Sequence, residues 1–361
     1  MHLSLKEIEL LCKAGATAPS GGNVQPWVVD AYSNAFVIRL DPIRSVSFLD
    51  VGRYASLLSL GCFIENVVIA SKQLGLETKI TNYEISDISK PVVEIKFLYR
   101  LKTNKSDLYN FIFKRCTNRK ISDGSLIPNE LIDEFNTVAK NIDKNFNFIG
   151  KYNYYEKKQL AKVLGKADVI RNTHEESFRQ MMNEFRWTGD EVKKTCDGID
   201  IKTLELPKYA AKGLLLLKQF PHLRKIIPKQ SFEELAKPIL EESSHICFLN
   251  SSNNIDSKTM ITIGRALERI WLTATKYHLS VQPWTIISLY MIRVNFFSGK
   301  GFNDHEILEI RNLEKDLRKI LNINKNEIPV FIFRLSKSDP PTAHSLRRNW
   351  QDFTRFHKEL L

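Results

Sequence analysis

Apolar residues recur at helical spacing near the start of the chain and at strand spacing soon afterwards. Leu3 to Ala16 predicts an amphipathic helix, and Val28 to Leu40 predicts a strand-like run. A short polar segment from Ala18 to Trp27 separates them. Pro19 ends the helix, because proline cannot continue the helical hydrogen-bond ladder. The pattern therefore predicts a helix, a polar loop and a strand in succession.

A second pattern is an internal repeat built around two long apolar helices. Residues 60–76 align without gaps on residues 263–279. The two stretches carry glycine and glutamate at matching positions, Gly61 with Gly264 and Glu65 with Glu268. Both are apolar nearly all round, which is typical of buried helices. Each lies between two strand candidates, 36–40 and 91–97 for the first helix and 246–249 and 329–335 for the second.

The repeat predicts an α+β fold, with two similar α/β halves fused in one chain around mixed sheets of antiparallel type. We place the halves at 1–110 and 111–361. Residues 152–244 belong to neither copy, and their helical spacing predicts an inserted helical segment. Such an insertion either forms a lid over a site or adds helices that pad the core. Both alternatives stay open.

Two polar clusters carry candidate chemistry. In the loop, Gly21 and Gly22 allow close approach of the backbone to a ligand. The side-chain amides of Asn23 and Gln25 donate and accept, as a planar heterocycle with nitrogen and carbonyl groups requires. A hydrogen bond from Gln25 to backbone is the alternative for that residue. The second cluster is a set of phosphate donors, Arg115, Thr117, Asn118 and Arg119.

These clusters resemble two signatures of the nitroreductase superfamily of FMN enzymes. The run from Ala18 to Trp27 resembles APSxxNxQPW, and 115–119 resembles RxSxR, with Thr117 in the place of serine. The resemblance implies that the Arg element binds the flavin phosphate, together with Arg347 or Arg348. It also implies further flavin contacts along the loop and after the second long helix, at Ser20, Gly21, Gly22, Asn23, Gln25, Ser280, Val281 and Gln282.

Nitroreductases are ordinarily homodimers with each flavin between subunits. Here the loop lies in the first half and the Arg element opens the second, so the resemblance implies a pseudo-dimer in one chain, with one flavin. This layout is similar to the Acg-type branch, and the chain is expected to be monomeric or to form a homodimer. The implied function is FMN-dependent electron transfer from NAD(P)H to a small organic acceptor, without a dedicated catalytic side chain.

Composition narrows the other possibilities. The net charge is +12, but the basic residues are spread along the chain, and no nucleic-acid motif is visible. We expect no apolar run to be long enough to span a membrane, so neither nucleic acid nor membrane is expected as a partner. The five cysteines are scattered and no HxxH pattern occurs, which indicates reduced thiols, a cytoplasmic location and no metal site.

Three other functions remain open from the sequence. The insertion could close over the flavin, so that the protein sequesters FMN without turnover. The flavin could instead be reduced by a peptide or amino-acid thioester, as in an FMN-dependent dehydrogenase of peptide or natural-product biosynthesis. A third alternative is a nucleic-acid or membrane-surface protein whose binding is driven by the +12 charge.

Overall fold

The structure, a computed structural model, describes residues 2–84, 87, 90–100, 105–252 and 255–357. The helices are α1 (Leu5–Ala16), α2 (Tyr54–Gln73), α3 (Asn129–Ile142), α4 (Tyr154–Thr173), α5 (Glu175–Glu184), α6 (Gly189–Thr195), α7 (Lys208–Gln219), α8 (Lys229–Glu241), α9 (Ser257–Lys276), α10 (Ile286–Phe296) and α11 (Asp304–Leu321). Short 3₁₀ helices lie at Gly21–Asn23, Val51–Arg53, Tyr109–Phe111, Ile201–Leu204, Pro221–Lys225 and Trp350–Asp352. The strands are β1 (Trp27–Ala31), β2 (Ala35–Leu40), β3 (Leu76–Asn82), β4 (Val93–Arg100), β5 (Phe146–Lys151), β6 (Phe185–Arg186), β7 (Ile199–Asp200), β8 (His245–Ser251), β9 (Ser280–Pro283), β10 (Ile328–Ser336) and β11 (Thr354–Phe356).

The strands form two larger sheets with the same internal order. One sheet runs β11-β1-β2-β4-β3 and the other runs β5-β8-β10-β9. Neighbouring strands are antiparallel, except that β11 pairs in parallel with β1. The long helix follows the second strand in both halves, α2 after β2 and α9 after β8. The predicted α+β class with two similar halves is therefore confirmed.

The two long helices cross at the pair of glycines that the repeat aligns. A Cβ atom on Gly61 would lie 2.0 Å from the carbonyl oxygen of Ile261, and one on Gly264 would lie 2.0 Å from that of Leu58. Leu58 and Ile261 stand three residues before the respective glycines, so the contact is reciprocal. Reciprocal contacts are the mark of a local two-fold relation. Glycine is required at both positions because only a missing side chain lets the backbones touch.

The halves differ in the links between equivalent elements. Residues 17–26 connect α1 to β1, whereas only 143–145 connect α3 to β5. The link between β1 and β2 is a tight turn, with the Tyr32 N–H donating to the Ala35 carbonyl. The equivalent link between β5 and β8 holds α4 to α8. The predicted run from Val28 to Leu40 is thus wrong as a single strand, because Ser33 and Asn34 favour a turn.

Helix α2 also corrects the expectation that no apolar run is long enough to span a membrane. Among the described residues, Val51–Gln73 passes that test by length and composition, with a mean hydropathy of 1.5. However, 89% of its most apolar window is buried inside the protein, where the helix packs against α1 and α9. The apolar character of α2 is explained by its place in the core.

Candidate functional site

A cavity of about 560 Å³ lies where the polar loop, the Arg element and the link from β9 to α10 meet. This volume falls in the range of roughly 300–1,000 Å³ that is typical of small-molecule and cofactor sites. Its lining includes these predicted site residues: Ser20, Gly21, Gly22, Asn23, Arg115, Thr117, Arg119, Gln282 and Arg347. The lining does not include Gln25, Asn118, Ser280, Val281 or Arg348.

Two arginines, Arg115 buried and Arg347 half-buried, meet at one wall of this cavity. The Nη2 atoms of Arg115 and Arg347 both donate to the carbonyl oxygen of Thr17, at 2.7 and 3.3 Å respectively. The guanidinium of Arg115 also stacks over the ring of Trp271, 4.6 Å from its centroid. Beneath the pair, the carboxylate of Glu268 lies 3.5 Å from Arg115 Nε and is fully buried. Segments far apart in sequence therefore converge on one carbonyl group.

The charges of this wall are not balanced within the described part of the chain. The Nε atoms of Arg115 and Arg347 are buried without a hydrogen-bond partner there. The buried carboxylate of Glu268 faces Arg115 and the neutral side chain of Asn66. Burial, reinforced by the charge of Arg115, lowers the pKa of Arg347 to about 9. Burial likewise raises the pKa of Glu268 to about 7, although Arg115 opposes that shift. Two guanidiniums against one carboxyl group leave an excess of positive charge, which an anion would offset.

A second pair of arginines supports the neighbouring wall. Arg119 Nη1 donates to the carbonyl oxygen of Thr203 at 3.0 Å, and burial lowers the pKa of Arg119 to about 10. Arg334 Nε donates to Gln282 Oε1 at 2.6 Å. Burial, together with the charge of Arg119, lowers the pKa of Arg334 to about 10 as well. This second pair extends the positive field along the cavity.

The loop amides bind protein rather than face the cavity freely. Asn23 Nδ2 donates to the carbonyl oxygens of Gly198 and Leu346, at 3.0 and 3.1 Å, while its Oδ1 accepts from Arg347 Nη1 at 2.9 Å. Gln25 Nε2 donates to the carbonyl oxygen of Cys196 at 2.8 Å, and its Oε1 accepts from the Arg348 backbone N–H at 2.9 Å. The backbone alternative for Gln25 therefore describes its contacts. Both amides tie the loop to distant segments, and their flavin contacts stay predictions.

Gly22 is favoured by its left-handed backbone, and the side chain at the end of α5 lies close to it. Its φ is +60°, and a Cβ atom there would lie 2.9 Å from Cδ of Glu184. Burial raises the pKa of Glu184, and Arg171 and Arg186 oppose that shift. The segment from Glu184 to Glu205 continues along the cavity, where Phe185, Ile199, Thr203 and Leu204 are part of the lining. One side of the cavity is thus closed by the segment that the sequence assigned to an insertion or lid.

Asn118 holds the Arg element against β9. Its backbone N–H donates to the Val281 carbonyl oxygen at 3.1 Å, and its Nδ2 donates to Ser280 Oγ at 2.8 Å. Ser280 and Val281 are buried behind the lining. The next residues, from Gln282 to Thr285, line the cavity as far as the first turn of α10, whose N-cap Thr285 makes no side-chain cap. The unpaired N–H groups of such a turn carry partial positive charge.

An acidic group lies elsewhere on the lining. Trp284 Nε1 donates to Asp168 Oδ2 at 2.9 Å, and burial raises the pKa of Asp168 to about 6 against the opposing charge of Arg171. Within the described ranges, no cluster of three or more His, Cys, Asp or Glu side chains is arranged to hold a metal ion. All five cysteines, which lie in those ranges, are unpaired.

Sequence reasoning missed four contributors to this site: Thr17, Glu268, Trp271 and Arg334. Two of them left a signal. Glu268 is an acid on a helix that is otherwise typical of the core, and Arg334 interrupts an apolar strand. Buried ionisable residues of this kind mark functional or paired sites. Thr17 acts through its backbone oxygen, which no side-chain pattern can indicate.

Comparison with known proteins gives limited matches. No family model matches the chain. An uncharacterized protein of Mycobacterium tuberculosis (strain CDC 1551 / Oshkosh), MT1398, is 26% identical over 352 residues. That alignment covers 94% of this chain and 47% of the relative, so the chain spans about half the length of the curated protein it matches.

Solved structures with similar chains include flavoproteins. The FMN-dependent nitroreductase NfnB from Mycobacterium smegmatis, solved in complex with NADPH, shares 12% identity at a TM-score of 0.42, covering 69% of this chain and 97% of that chain. Iodotyrosine deiodinase bound to FMN and 3-iodo-L-tyrosine shares 14% identity at a TM-score of 0.36, and the match covers 67% of this chain and 95% of that chain. A nitroreductase-like family protein from Bacillus cereus shares 10% identity at a TM-score of 0.36, and the match covers 71% of this chain and 99% of that chain. At these scores, inference about function depends on the residues of the chain itself.

Proposed function

We propose that the protein is an FMN-binding oxidoreductase of nitroreductase type, which takes electrons from NAD(P)H and passes them to a small organic acceptor. The observation that carries the proposal is the meeting of three distant segments in one cavity of about 560 Å³. The loop after α1, the Arg element and the segment around Arg347 converge on the carbonyl oxygen of Thr17. The two signatures of the resemblance thus line the same space.

The donor set fits the phosphate of FMN. Arg115 and Arg347 lie beside one another with buried, unpartnered Nε atoms, which a phosphate dianion would compensate. The Thr117 side chain on the same lining adds a hydroxyl donor. We assign the phosphate to these three residues, with Arg119 in support. Arg348 is not assigned, because it is not part of the cavity lining.

FMN, when bound, would supply two-electron transfer between NAD(P)H and the acceptor. The chain's contribution is placement and electrostatics. The uncapped first turn of α10 brings partial positive charge to the lining, which lowers the free energy of negative charge placed near it. We assign no dedicated catalytic side chain. The unpaired cysteines fit the proposed location in a reducing cytoplasm.

We further propose a pseudo-dimer with one flavin site per chain. The proposal is supported by the matching strand order and by the reciprocal contact at Gly61 and Gly264. The second half offers only 143–145 where the first half has the polar loop, so the equivalent position lacks the residues that line the cavity. The proposed chain is monomeric or forms a homodimer of pseudo-dimers.

One observation favours a second candidate function, sequestration of FMN without turnover. The segment that closes one side of the cavity is tied down by Asn23, Gln25 and Arg119, which donate to the carbonyl oxygens of Gly198, Cys196 and Thr203. A closed segment would prevent NAD(P)H from stacking on the flavin. Turnover and sequestration therefore differ in whether this segment opens.

The test is an absorbance spectrum of the purified protein, repeated anaerobically after addition of NADPH. Flavin bands that bleach, followed by reoxidation with a nitroaromatic or a quinone, are the expected result. Flavin bands that persist would support sequestration instead. A protein that stays colourless after incubation with FMN would overturn both functions.

The phosphate assignment has a sharper test. Wild type should bind FMN far more tightly than riboflavin, which lacks the phosphate. The Arg347→Gln variant should lose about 10- to 100-fold in FMN affinity, because charged hydrogen bonds contribute about 1.5–3 kcal/mol each, and should bind riboflavin as before. Arg311→Gln on the exposed face of α11 is the matched control for charge. Equal losses for both ligands would contradict the assignment.

A further inference from the structure

The segment from Leu206 to Phe232 is basic throughout. It contains no Asp or Glu, and the nearest acids are Glu205 and Glu233 on either side. All five of its lysines are exposed, and Lys218 lies over the ring of Trp187. The other four are Lys208, Lys212, Lys225 and Lys229. Among the described residues none of these four has a carboxylate partner within ion-pair distance. The segment therefore presents a positive charge that the protein itself does not neutralise.

Large apolar side chains lie exposed among these lysines. We call this set of exposed side chains, together with the four lysines, the α7 surface. Its apolar members, with their exposed fractions, are Tyr209 (77%), Leu215 (44%), Leu216 (48%), Phe220 (47%) and Ile226 (77%). Helix α7 has no fully buried residue, and a Cβ atom on Gly213 would meet nothing within 4 Å. Exposed apolar residues grouped in this way mark an interaction surface.

The orientation of α7 is set by its opposite face. Leu214 and Leu217 pack against a small buried cluster of Phe178, Met181 and Phe185. Positions 209, 212 and 216 lie on one face of the helix because of their spacing. Tyr209, Lys212 and Leu216 therefore point outwards together. The result is an amphipathic helix with an apolar and cationic outer face on an otherwise packed protein.

We propose that the α7 surface docks on an anionic lipid bilayer. Lysines attract acidic headgroups, while tyrosine, phenylalanine and aliphatic side chains enter the boundary between headgroups and acyl chains. Both features are present on the same face. A nucleic acid would satisfy the lysines but would leave the five apolar side chains against phosphate and water, so the bilayer is the better match.

This inference is independent of the proposed FMN chemistry. It departs from the expectation that no membrane is a partner, because periodicity alone does not show which side of the segment faces outwards. The docking surface begins at Lys208, shortly after Leu204 on the cavity lining. Membrane binding would thus bring one wall of the cavity close to the bilayer surface.

The test is co-sedimentation of the full chain with vesicles. Binding to mixed phosphatidylglycerol and phosphatidylcholine vesicles is expected at low salt, with little binding to pure phosphatidylcholine and weaker binding at high salt. Each lysine near an anionic surface contributes about fivefold in affinity, so the double variant Lys208→Glu/Lys212→Glu should lose at least about 25-fold. The control Lys315→Glu/Lys319→Glu, on the exposed face of α11, should bind as wild type does.

A second pair of matched variants measures what the apolar side chains contribute to vesicle binding. Leu216→Gln should weaken vesicle binding by about threefold or more, since each buried methylene contributes about 0.8 kcal/mol in this boundary. Leu308→Gln, which removes an equally large side chain that is 59% exposed on α11, should leave binding unchanged. Circular dichroism of all four variants excludes loss of fold as the cause.

The vesicle experiments overturn the proposal if the protein sediments with neither vesicle or equally with both, or if the α7 and α11 variants lose binding equally. Preferential binding of duplex DNA that the α7 variant abolishes would overturn it too. A concentration-dependent dimer that the α7 variant dissociates, without vesicle binding, would also overturn it in favour of a second copy of this chain.

Discussion

The same glutamate position has opposite surroundings in the two halves. Glu65 on α2 is held by two arginines of α9, with 2.8 Å to Arg265 Nε and 2.6 Å to Arg269 Nε. Glu268 on α9 lies 3.5 Å from Arg115 Nε, and its second polar neighbour is the neutral side chain of Asn66. Both glutamates are fully buried. Equivalent sequence positions thus produced one satisfied ion-pair network and one that is incomplete.

The cause is a pair of substitutions between the repeats. With the alignment of Glu65 on Glu268, Arg265 and Arg269 correspond to Cys62 and Asn66 on α2. Glu268 therefore lacks the two cations that its counterpart has, and the Arg element supplies one from outside the repeat. In the first half, Glu65 and the two arginines of α9 therefore form an ion-pair network that is complete within the protein. In the other half, the equivalent glutamate is buried behind a cavity wall that carries excess positive charge.

The largest expected effect concerns the crossing that both halves share. Gly264→Ala should lower the free energy of unfolding by at least about 3 kcal/mol, because the new Cβ would lie 2.0 Å from a backbone oxygen that cannot move aside. Chemical denaturation measures this loss. Gly213→Ala is the control, since nothing lies within 4 Å of it, and should stabilise by about 0.5–1 kcal/mol. Similar values for both variants would refute the close crossing.

The next prediction separates the two arginine sets. Arg115→Met should weaken FMN binding by about 10- to 100-fold, because a charged hydrogen-bond donor is lost from the proposed phosphate site. Arg269→Met should lower stability while leaving FMN affinity unchanged, because Arg269 pairs with Glu65. Fluorescence titration of FMN, together with denaturation, measures both. Loss of FMN affinity in the Arg269 variant would contradict the distinction between a structural ion-pair network at Glu65 and a phosphate site at Arg115.

A smaller effect is expected in the pH dependence of stability. Burial raises the pKa of Glu268 to about 7, so the folded state keeps its proton over a range where the unfolded chain has lost it. The contribution of protonated Glu268 to the free energy of unfolding is fully present below about pH 4.3, the pKa of a glutamate in the unfolded chain. This contribution is lost as the pH rises through about 7. The free energy of unfolding should therefore fall across this window.

Glu268→Gln should flatten that fall, by an amount on the order of 1–3 kcal/mol over the window. Denaturant unfolding at a series of pH values gives the difference from wild type. The difference isolates Glu268, since burial also raises the pKa values of Asp50 and Asp168 to about 6 in both proteins. Glu65→Gln is the matched variant and should lessen the fall only slightly, because the charge of Glu65 is the smallest of the causes that shift the pKa of Glu268. An unchanged slope in the Glu268 variant would contradict the incomplete network.

The smallest effect compares the two links before the first strands. Asn23→Ala removes three hydrogen bonds of the polar loop and should raise hydrogen exchange around 196–200 and 345–348, with a loss of about 1–3 kcal/mol in local stability. Asn145→Ala in the short link 143–145 should stay within about 0.5 kcal/mol, because Asn145 is exposed. Equal exchange in both variants would show that the loop does not hold these segments.

Much of the fold followed from local pattern. The helix ending at Ala16, the two long helices and their flanking strands were predicted from periodicity, because burial of one element face leaves a regular trace in sequence. The polar loop and the Arg element were recognisable because turn and phosphate chemistry restrict residue types. The break between α4 and α5 at His174 was not predicted within the inserted helical segment. There the imidazole Nδ1 accepts the Ser177 N–H and starts a new helix.

The sequence by itself determined the two halves and the short segments that carry the candidate chemistry. Only the tertiary structure decided that Arg347 rather than its neighbour Arg348 lines the cavity, and that the Asn23 and Gln25 amides bond to backbone. It also left Glu268 without the partners that Glu65 has. The physical reason is that periodicity records which face of an element is buried, whereas hydrogen-bond partners and charge balance depend on segments far apart in the chain.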